Sequence, residues 1–481
     1  MSFNELLPVE QHIFKLAPNS LDDYLKGERR WVKSEKLYVL KHKDEYVVFN
    51  TLLNSPVVIN YEAKQFLDAT DSFSMPINSN SLETDFLLLF MESYFFLPFN
   101  IREDDLIKIR TASYLQGFST GSTFETFDLR ISESCNFGCR HCIAGGSKHS
   151  TFMTFDEAKC IIDRIIKLKL GSNKEYNLLQ LHYGNAEPLL NYGIIPLIHS
   201  YVASEYPRIT LQGSISTNLS LIDRHTALWL KENNISVYTS LDGQKKGNDS
   251  IRVQKNGEGT YDIILEKLQL FQSIGYPIKG ISVTITDENF PFVQDEFIDW
   301  CASQQFDSVA YDFDLINTVA ISIDEATDFL VCTWKRFRDM GIEFYGTWAS
   351  PFLNISNKSF IDEIYGFCKA KIGRNLSIDS QGSVYICAFS SIPICNLKEI
   401  DTEIKDGGKF YKYVASNLLG KNELCKKCRY EGACIGQCDV TKEHSAEKIK
   451  YQCRFYKSVT DKTICAQVDY EELEGGEDDE S

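Results

Sequence analysis

The sequence predicts an α/β protein whose centre is a parallel sheet, open or closed as a partial (β/α)6 barrel. Strand-like runs alternate with helical stretches through the middle of the chain. Cysteines are unevenly distributed, because the first hundred residues contain none and eight of the fifteen fall between Cys368 and Cys453. We therefore divide the chain into an N-terminal α+β module (1–112), the β/α region (113–350), a cysteine-rich region (351–470) and an acidic tail (471–481) expected to be disordered.

The N-terminal module is predicted from short alternating runs. Residues 37–40 and 46–50 read as strands joined by a turn at Lys43-Asp44, and a third strand follows at 57–60. Helices are expected at 61–69 and 83–96. Such a module, of winged-helix type, either recognises a partner or caps the next domain.

The middle region is predicted as six β-then-α units. The expected strands are 126–131, 178–183, 210–216, 236–240, 280–286 and 308–313, with helices that include 154–168, 223–232 and 261–274. In parallel β/α sheets the active site lies at the carboxyl ends of the strands, so the residues that follow each strand are the candidates for function.

Composition narrows the class of protein. A net charge of −17 argues against a surface that tracks nucleic acid. The N-terminus lacks the pattern of a signal peptide, and the longest apolar stretch, within 86–97, is too short to span a bilayer. We expect a cytoplasmic protein without a nucleic-acid or membrane partner, whose clustered cysteines bind metal or perform chemistry.

Three cysteines follow the first β/α strand in the run Cys135-Asn-Phe-Gly-Cys139-Arg-His-Cys142. Three thiolates at these spacings suit one [4Fe–4S] cluster in which one iron stays open for a small molecule. The alternative is a zinc site with His141 as the fourth ligand. The CxxxCxxC pattern after the first barrel strand resembles the signature of the radical S-adenosylmethionine (SAM) superfamily.

This resemblance implies a mechanism and an electron donor. SAM would chelate the open iron through its amine and carboxylate, and one electron would cleave it to methionine and a 5′-deoxyadenosyl radical that abstracts hydrogen from the substrate. Cys135, Cys139 and Cys142 would then be the catalytic cluster ligands. A flavodoxin or ferredoxin is the kind of donor expected.

Further SAM contacts are implied residue by residue. The run Tyr183-Gly184-Asn185-Ala186-Glu187-Pro188 resembles the Gly-Gly-Glu-Pro motif that receives the SAM amino group, with Asn185 and Ala186 in place of the glycines. For Glu187 the alternative is a solvated carboxylate. Because glycine tolerates dihedrals that other residues avoid, the replacements bear on the loop conformation.

Polar groups after the third and fourth strands complete the set. Ser216 and Asn218 could bind the ribose, or could cap the next helix. Ser240 and Arg252 have the spacing at which the family places a serine and an arginine on the SAM carboxylate. A guanidinium suits a carboxylate geometrically, whereas the alternative for Arg252 is a surface cation.

The second cysteine group has the pattern C-x13-G-x4-C, gap, C-x2-C-x5-C-x3-C, gap, C, which resembles the SPASM domain of radical SAM peptide maturases. The resemblance implies two auxiliary [4Fe–4S] clusters. The outer one would be held by Cys425, Cys428, Cys434 and Cys453, and the inner one by Cys368, Cys387 and Cys438. The inner cluster would take Cys395 as its fourth ligand or keep an open iron. Zinc ribbons also use paired cysteines, but seven ligands divide poorly between tetrahedral sites.

The five cysteines outside these groups have a simpler interpretation. Each is expected to be a small buried hydrophobic residue. They are Cys160, Cys301, Cys332, Cys395 and Cys465.

Auxiliary clusters suit a reaction that ends by giving up an electron, which indicates oxidative modification of a ribosomally made precursor peptide with a leader. An intramolecular crosslink of the cyclophane type (carbon–carbon or ether) is favoured, with thioether formation or epimerisation as alternatives. Sulfatase maturases place an aspartate where this chain has Ala388, which argues against that reaction.

The N-terminal module resembles leader-recognition elements, which bind a peptide as an added strand. A non-catalytic iron–sulfur electron carrier is the alternative from another class.

Overall fold

The structure is a computed structural model. It describes residues 6–26, 29–50, 52, 56–75, 82–143, 151–304, 306–317, 320–357, 364, 366–418, 423–426, 428–434, 436, 438–444 and 448–478.

The N-terminal module contains two antiparallel three-stranded sheets, ordered β2-β3-β4 and β5-β1-β6. Its elements are α1 (Pro8–Leu16), α2 (Leu21–Lys26), β1 (Arg30–Lys33), β2 (Leu37–His42), β3 (Glu45–Asn50), β4 (Val57–Ile59), α3 (Tyr61–Ala69), β5 (Ser72–Ser74), α4 (Leu82–Glu92), β6 (Phe96–Pro98) and α5 (Glu103–Thr120). The expected helix at 83–96 is too long, because Tyr94 adopts a left-handed φ of 56° and the chain then enters β6.

The middle of the chain forms seven consecutive parallel strands, β7 to β13, within a ten-stranded sheet. All six predicted strands are present, and β13 is an addition. The elements are β7 (Thr126–Leu129), α6 (Phe155–Ser172), β8 (Leu178–Tyr183), α7 (Ile194–Glu205), β9 (Thr210–Ser216), α8 (Arg224–Glu232), β10 (Ser236–Ser240), α9 (Lys245–Ile251), α10 (Tyr261–Ser273), β11 (Gly280–Ile285), α11 (Asp295–Ser303), β12 (Ser308–Phe313), α12 (Ile323–Asp339) and β13 (Glu343–Tyr345).

The cysteine-rich region extends the same sheet, because β14 pairs parallel to β7 and β15 and β16 follow as antiparallel strands. Its elements are α13 (Ser350–Asn357), β14 (Asn375–Ile378), β15 (Ser383–Tyr385), β16 (Cys395–Asn396), α14 (Ile400–Glu403), α15 (Lys409–Asn417), α16 (Glu431–Cys434), α17 (Asp439–His444) and α18 (Ile449–Asp478).

The tail expected to be disordered is helical as far as the structure describes it. Helix α18 continues from its packed part to Asp478. Adding residues to an existing helix is easy compared with nucleating one, and glutamate is a good helix former. The disorder of the whole tail stays a prediction, since residues 479–481 lie outside the described residues.

The N-terminal module packs against the cysteine-rich region. Phe49 of β3 stacks on Tyr430 with ring centroids 6.0 Å apart, and His42 of β2 lies 2.7 Å from Asp469 of α18. Helix α5 runs across the expected boundary at residue 112, since its Leu106 joins the core of the N-terminal module and its Phe118 joins the core of the β/α region. The module is thereby held against both the cysteine-rich region and the β/α region.

Candidate functional site

The three-cysteine loop lies at the carboxyl end of β7, as predicted. Its backbone is fixed to the segment after α9, because Gly138 N donates to Val253 O (2.7 Å) and Arg140 N donates to Ile251 O (2.8 Å). Burial raises the pKa of the Cys139 thiol to about 11. Interactions with neighbouring groups that include Cys135 and Cys142 contribute to the same rise, so the three thiols lie near one another.

The donor set of the loop includes three cysteine thiols, the ligands that a [4Fe–4S] cluster takes. Among the residues that the structure describes, no three Cys, His, Asp or Glu side chains converge tightly enough to hold one ion. Zinc needs ligands about 2.0–2.3 Å from the metal, whereas a [4Fe–4S] cluster spreads its thiolates over several irons. His141, the alternative zinc ligand, lies with its Nε2 3.5 Å from Asp242 Oδ2. Cys142, the third cysteine of the loop, is exposed.

The loop after β8 contains a left-handed residue at its altered motif. Asn185 adopts a φ of 85°, a left-handed conformation in which asparagine replaces glycine more readily than most residues. Gly184 stays necessary, because a Cβ there would lie 2.8 Å from His182 Nε2. The Tyr183 side chain is fully buried beside His199, so only its main chain is available to a ligand at the cysteine loop.

Glu187 is fully buried, which excludes the solvated alternative. Its Oε1 accepts from Leu189 N (3.0 Å) and Thr217 Oγ1 (2.7 Å), and its Oε2 accepts from Asn218 N (2.8 Å). Its own backbone N–H donates to Ser134 O (3.0 Å), next to the first cysteine. Glu187 therefore joins the loops after β7, β8 and β9.

Replacing Glu187 by alanine is expected to destabilise the site loops. Three buried donors would lose their acceptor, at about 1–3 kcal/mol each, so we expect a loss of roughly 3 kcal/mol or more. The fall in thermal midpoint of the anaerobic protein measures it. The exposed Glu232 at the end of α8 supplies the control variant Glu232→Ala. Equal midpoints for the two variants would contradict the bracing role.

The two candidate residues after β9 lie in different places: Asn218 is beside the cysteine loop and Ser216 faces the interior of the sheet. Asn218 Nδ2 lies 3.9 Å from Cys135 Sγ and donates to Asn136 Oδ1 (2.9 Å). Ser216 instead lies 3.1 Å from His182 Nε2. Burial lowers the pKa of His182 to about 4, so this imidazole is neutral at physiological pH.

Arg252 reaches the cysteine loop and is held there by a residue that the sequence interpretation did not select. Its Nε and Nη2 both lie 2.9 Å from Asp242 Oδ2, and its Nη1 lies 3.9 Å from Cys139 Sγ. Asp242 is fully buried and its Oδ1 accepts from Thr284 N (2.9 Å). Ser240 ends β10 in register with Ser282 of β11. The sequence did contain a signal for Asp242, because an acidic residue directly follows a strand and precedes the arginine.

The seven cysteines of the C-terminal pattern form two neighbouring sets. Electrostatic interactions join Cys387 to Cys368 and Cys438, and separately join Cys434 to Cys425, Cys428 and Cys453. Each set coincides with one of the two expected ligand groups. The charged neighbours of Cys395 are Glu399, Glu403 and Lys409, with no member of the first set among them.

The remaining cysteines depart in part from the buried interpretation. Cys301 is fully buried, as expected. Cys160 and Cys332 are exposed, and Cys395 and Cys465 are half-buried. Cys160 and Cys332 lie on helices α6 and α12, whose outer faces contact solvent, so the expectation was wrong for these two.

A thiol loop at the carboxyl edge of a parallel β/α sheet, with an arginine and an asparagine beside it, is the arrangement of an enzyme that binds SAM at an iron–sulfur cluster. Residues 129–294 match the family model described as the radical SAM superfamily. The chain thus carries a radical SAM domain and is a radical SAM enzyme, as predicted from the sequence. This domain implies SAM and a [4Fe–4S] cluster as cofactors.

Similar proteins extend over most of the chain. The radical SAM cyclopropyl synthase TigE of Paramaledivibacter caminithermalis is 25% identical over 83% of this chain and 86% of its own length. The sulfatase-maturating enzyme anSMEcpe with bound AdoMet and the Cp18Cys peptide has a TM-score of 0.58 at 18% identity, over 72% of this chain and 98% of that one. Streptococcus suis SuiB bound to the precursor peptide SuiA has a TM-score of 0.50 at 18% identity, over 87% and 98%. These likenesses confirm the predicted fold class.

In the described part of the chain, no helix combines the length and the apolar character that crossing a bilayer requires.

Proposed function

We propose that the protein is a maturase that oxidatively modifies a ribosomally synthesised precursor peptide, forming an intramolecular crosslink of the cyclophane type. The observation that carries this proposal is the separation of the C-terminal cysteines into two sets. The region that bears them is attached to the catalytic sheet through β14, which pairs with β7, the strand leading to the three-cysteine loop. Two auxiliary clusters there would suit a reaction that must release an electron from the substrate.

Cys135, Cys139 and Cys142 would hold the cluster at which SAM, when bound and reduced, supplies the 5′-deoxyadenosyl radical. Arg252, oriented by Asp242, offers its guanidinium to the SAM carboxylate. The backbone of the loop from Tyr183 to Glu187 would accept hydrogen bonds from the SAM amino group. Asn218 would face the ribose, and Ser216 would have to exchange its contact with His182 to join it. Ser240 completes the carboxylate site.

The auxiliary ligands are proposed in the same way. Cys368, Cys387 and Cys438 would hold the inner cluster, and Cys425, Cys428, Cys434 and Cys453 the outer one. Since Cys395 interacts electrostatically with Glu399, Glu403 and Lys409 and with no cysteine of the inner set, we favour an open coordination position on the inner cluster. A flavodoxin or ferredoxin would supply the reducing electron.

The N-terminal module is the proposed leader-recognition element. Its two small sheets have edge strands, including β4 and β6, that pair on one side only. An extended leader can add to such an edge through main-chain hydrogen bonds. SuiB and anSMEcpe, whose fold this chain shares, were solved with peptides bound.

Related reactions are distinguished by specific observations. Likeness to TigE supports a second candidate, formation of a cyclopropane ring, which also removes two hydrogens from the peptide. Maturation of a sulfatase is disfavoured by Ala388, which cannot act as a base next to Cys387. The electron-carrier alternative is dropped, because the chain is a radical SAM enzyme.

The test is anaerobic co-expression with the short peptide encoded nearest to this gene, followed by mass spectrometry of that peptide. We expect loss of two hydrogens with the wild-type enzyme and an unchanged mass with Cys139→Ala. Fragmentation and NMR of the product then separate a crosslink from a cyclopropane. An unchanged mass that gains one deuterium in heavy water would mean epimerisation, and a mass change that survives in Cys139→Ala would refute the proposed site.

A further inference from the structure

Asp128 lies in the middle of β7, on the inner face of the parallel sheet. Its neighbours Phe127 and Leu129 are fully buried in the core that the outer helices cover. Because successive side chains of a strand point to opposite faces, Asp128 points into the barrel. Its register partners on that face are His182 of β8 and Ser377 of β14.

The inner face carries aromatic side chains that are accessible to solvent. Tyr238 of β10 is 49% exposed, although its strand neighbours Val237 and Thr239 are 9% and 4% exposed. Its ring centroid lies 6.4 Å from that of His182, the neighbour of Asp128 in the sheet. Tyr345 of β13 is 36% exposed on the same face. The accessible ring of Tyr238 therefore lies close to the sheet neighbour of Asp128.

The carboxylate of Asp128 has no hydrogen-bond donor among the described residues, although the side chain is only 7% exposed. Its polar neighbours are engaged elsewhere. His182 contacts Ser214 (2.8 Å) and Ser216 (3.1 Å). Arg130 turns toward the cysteine-rich region, where its Nη2 donates to Cys387 O (2.9 Å) and its guanidinium lies 3.6 Å from the Tyr385 ring centroid.

The half-buried Asp312 shows what a satisfied carboxylate looks like on the same face of the sheet. Asp312 of β12 accepts from the backbone N–H and the hydroxyl of Thr347, both at 2.6 Å. Asp128 has no equivalent. Burial raises the pKa of Asp128 to about 7, against a lowering by the neighbouring Arg130, whose Nε donates to Ser377 Oγ (2.9 Å) and not to the carboxylate.

We propose that Asp128 is a substrate subsite that binds the ammonium or guanidinium group of a lysine or arginine side chain of the peptide. This deepens the proposed function and rests on it. A cationic partner strongly stabilises the charged form of a buried carboxylate, whereas a neutral donor leaves the negative charge uncompensated. Tyr238 and the neutral His182 supply an apolar wall for the alkyl part of such a side chain. The net charge of −17 attracts cationic peptide segments generally.

The test compares small probes on the reconstituted holoenzyme with SAM, under anaerobic conditions and without reductant. Binding of Nα-acetyl-lysine methylamide, Nα-acetyl-arginine methylamide and the neutral Nα-acetyl-norleucine methylamide is followed by ligand-observed NMR. We expect both cationic probes to bind and norleucine to bind at least tenfold more weakly. Asp128→Asn should weaken the cationic probes by roughly tenfold or more. The matched variant Asp312→Asn, whose carboxylate already has partners, should change their binding less than about twofold.

Two outcomes would overturn the subsite: equal binding of cationic and neutral probes, or undiminished cationic binding by Asp128→Asn. Because an unpaired buried charge disfavours folding, Asp128→Asn should also have a thermal midpoint at or above that of the wild type. A thermal midpoint below that of the wild type would contradict the statement that the Asp128 carboxylate has no donor. The binding comparison is then repeated with Asp128→Ala as a second variant. Formation of 5′-deoxyadenosine is measured separately after reduction. Its failure in the wild type would reject the proposed function alone, since the probe comparison requires no turnover.

Discussion

Asparagine in place of Asp242 is expected to weaken SAM binding by about thirtyfold or more. Arg252 lies in a buried environment, and Asp242 both neutralises it and fixes its plane through contacts at Nε and Nη2. In Asp242→Asn the side-chain oxygen still reaches Thr284 N, but an amide NH₂ then faces the guanidinium. Breaking a buried, hydrogen-bonded charge pair typically costs about 2–5 kcal/mol, and 2 kcal/mol corresponds to roughly thirtyfold in affinity.

Equilibrium dialysis of SAM with the reconstituted protein measures this effect. The change that SAM produces in the EPR spectrum of the reduced cluster should shrink in parallel, whereas a merely structural role would leave that signature intact in folded protein. The matched control is Asp401→Asn, which breaks the Arg164–Asp401 pair at 2.6 Å between α6 and α14. Because Asp401 is 54% exposed, its pair is expected to contribute little. Wild-type SAM affinity in Asp242→Asn would refute the positioning role.

The strands of the β/α region were predictable because each combines a buried outer face with bounds marked by turn residues. Four of the six, among them β8 and β12, begin and end at the predicted residues. The missed strands are short and pair with distant segments. β1, for example, pairs with β5 and β6, more than thirty residues further along the chain. Three- and four-residue segments carry too little periodicity to be recognised before their partners are known.

The candidate site was likewise predictable only in part. Cysteine spacing and motif resemblance located the thiol loop and the residues after β8, β9 and β10. They did not find Asp242, because its importance comes from a hydrogen bond that joins the ends of β10 and α9. Nor did they find Asp128, whose role depends on which face of β7 it occupies and on the absence of a donor around it. Partners that meet only in the folded sheet are invisible in a local pattern.

Methionine in place of Lys371 is expected to destabilise the cysteine-rich region by about 3–5 kcal/mol. Lys371 is 2% exposed and its Nζ lies 3.0 Å from Asp439 Oδ1, while Tyr413 Oη donates to Asp439 Oδ2 (2.6 Å). These contacts join the turn after Cys368 to helix α15 and to the residue that follows Cys438. Electrostatic interactions also link Lys371 to Cys368 and to Cys434, one cysteine of each set. Removing the ammonium takes this cation away from the half-buried carboxylate of Asp439, which lies between the two sets.

The size of the effect should depend on that carboxylate. We therefore expect the double variant Lys371→Met/Asp439→Asn to recover part of the lost thermal midpoint, because it leaves no buried charge unpaired. Lys369→Met is the matched control, since Lys369 is 58% exposed and its pair with Glu125, at 2.7 Å, is screened by solvent. Iron content after reconstitution should fall in Lys371→Met and remain near the wild-type value in Lys369→Met. If the double variant is no more stable than Lys371→Met, the loss comes from packing of the lysine stem and the charge argument fails.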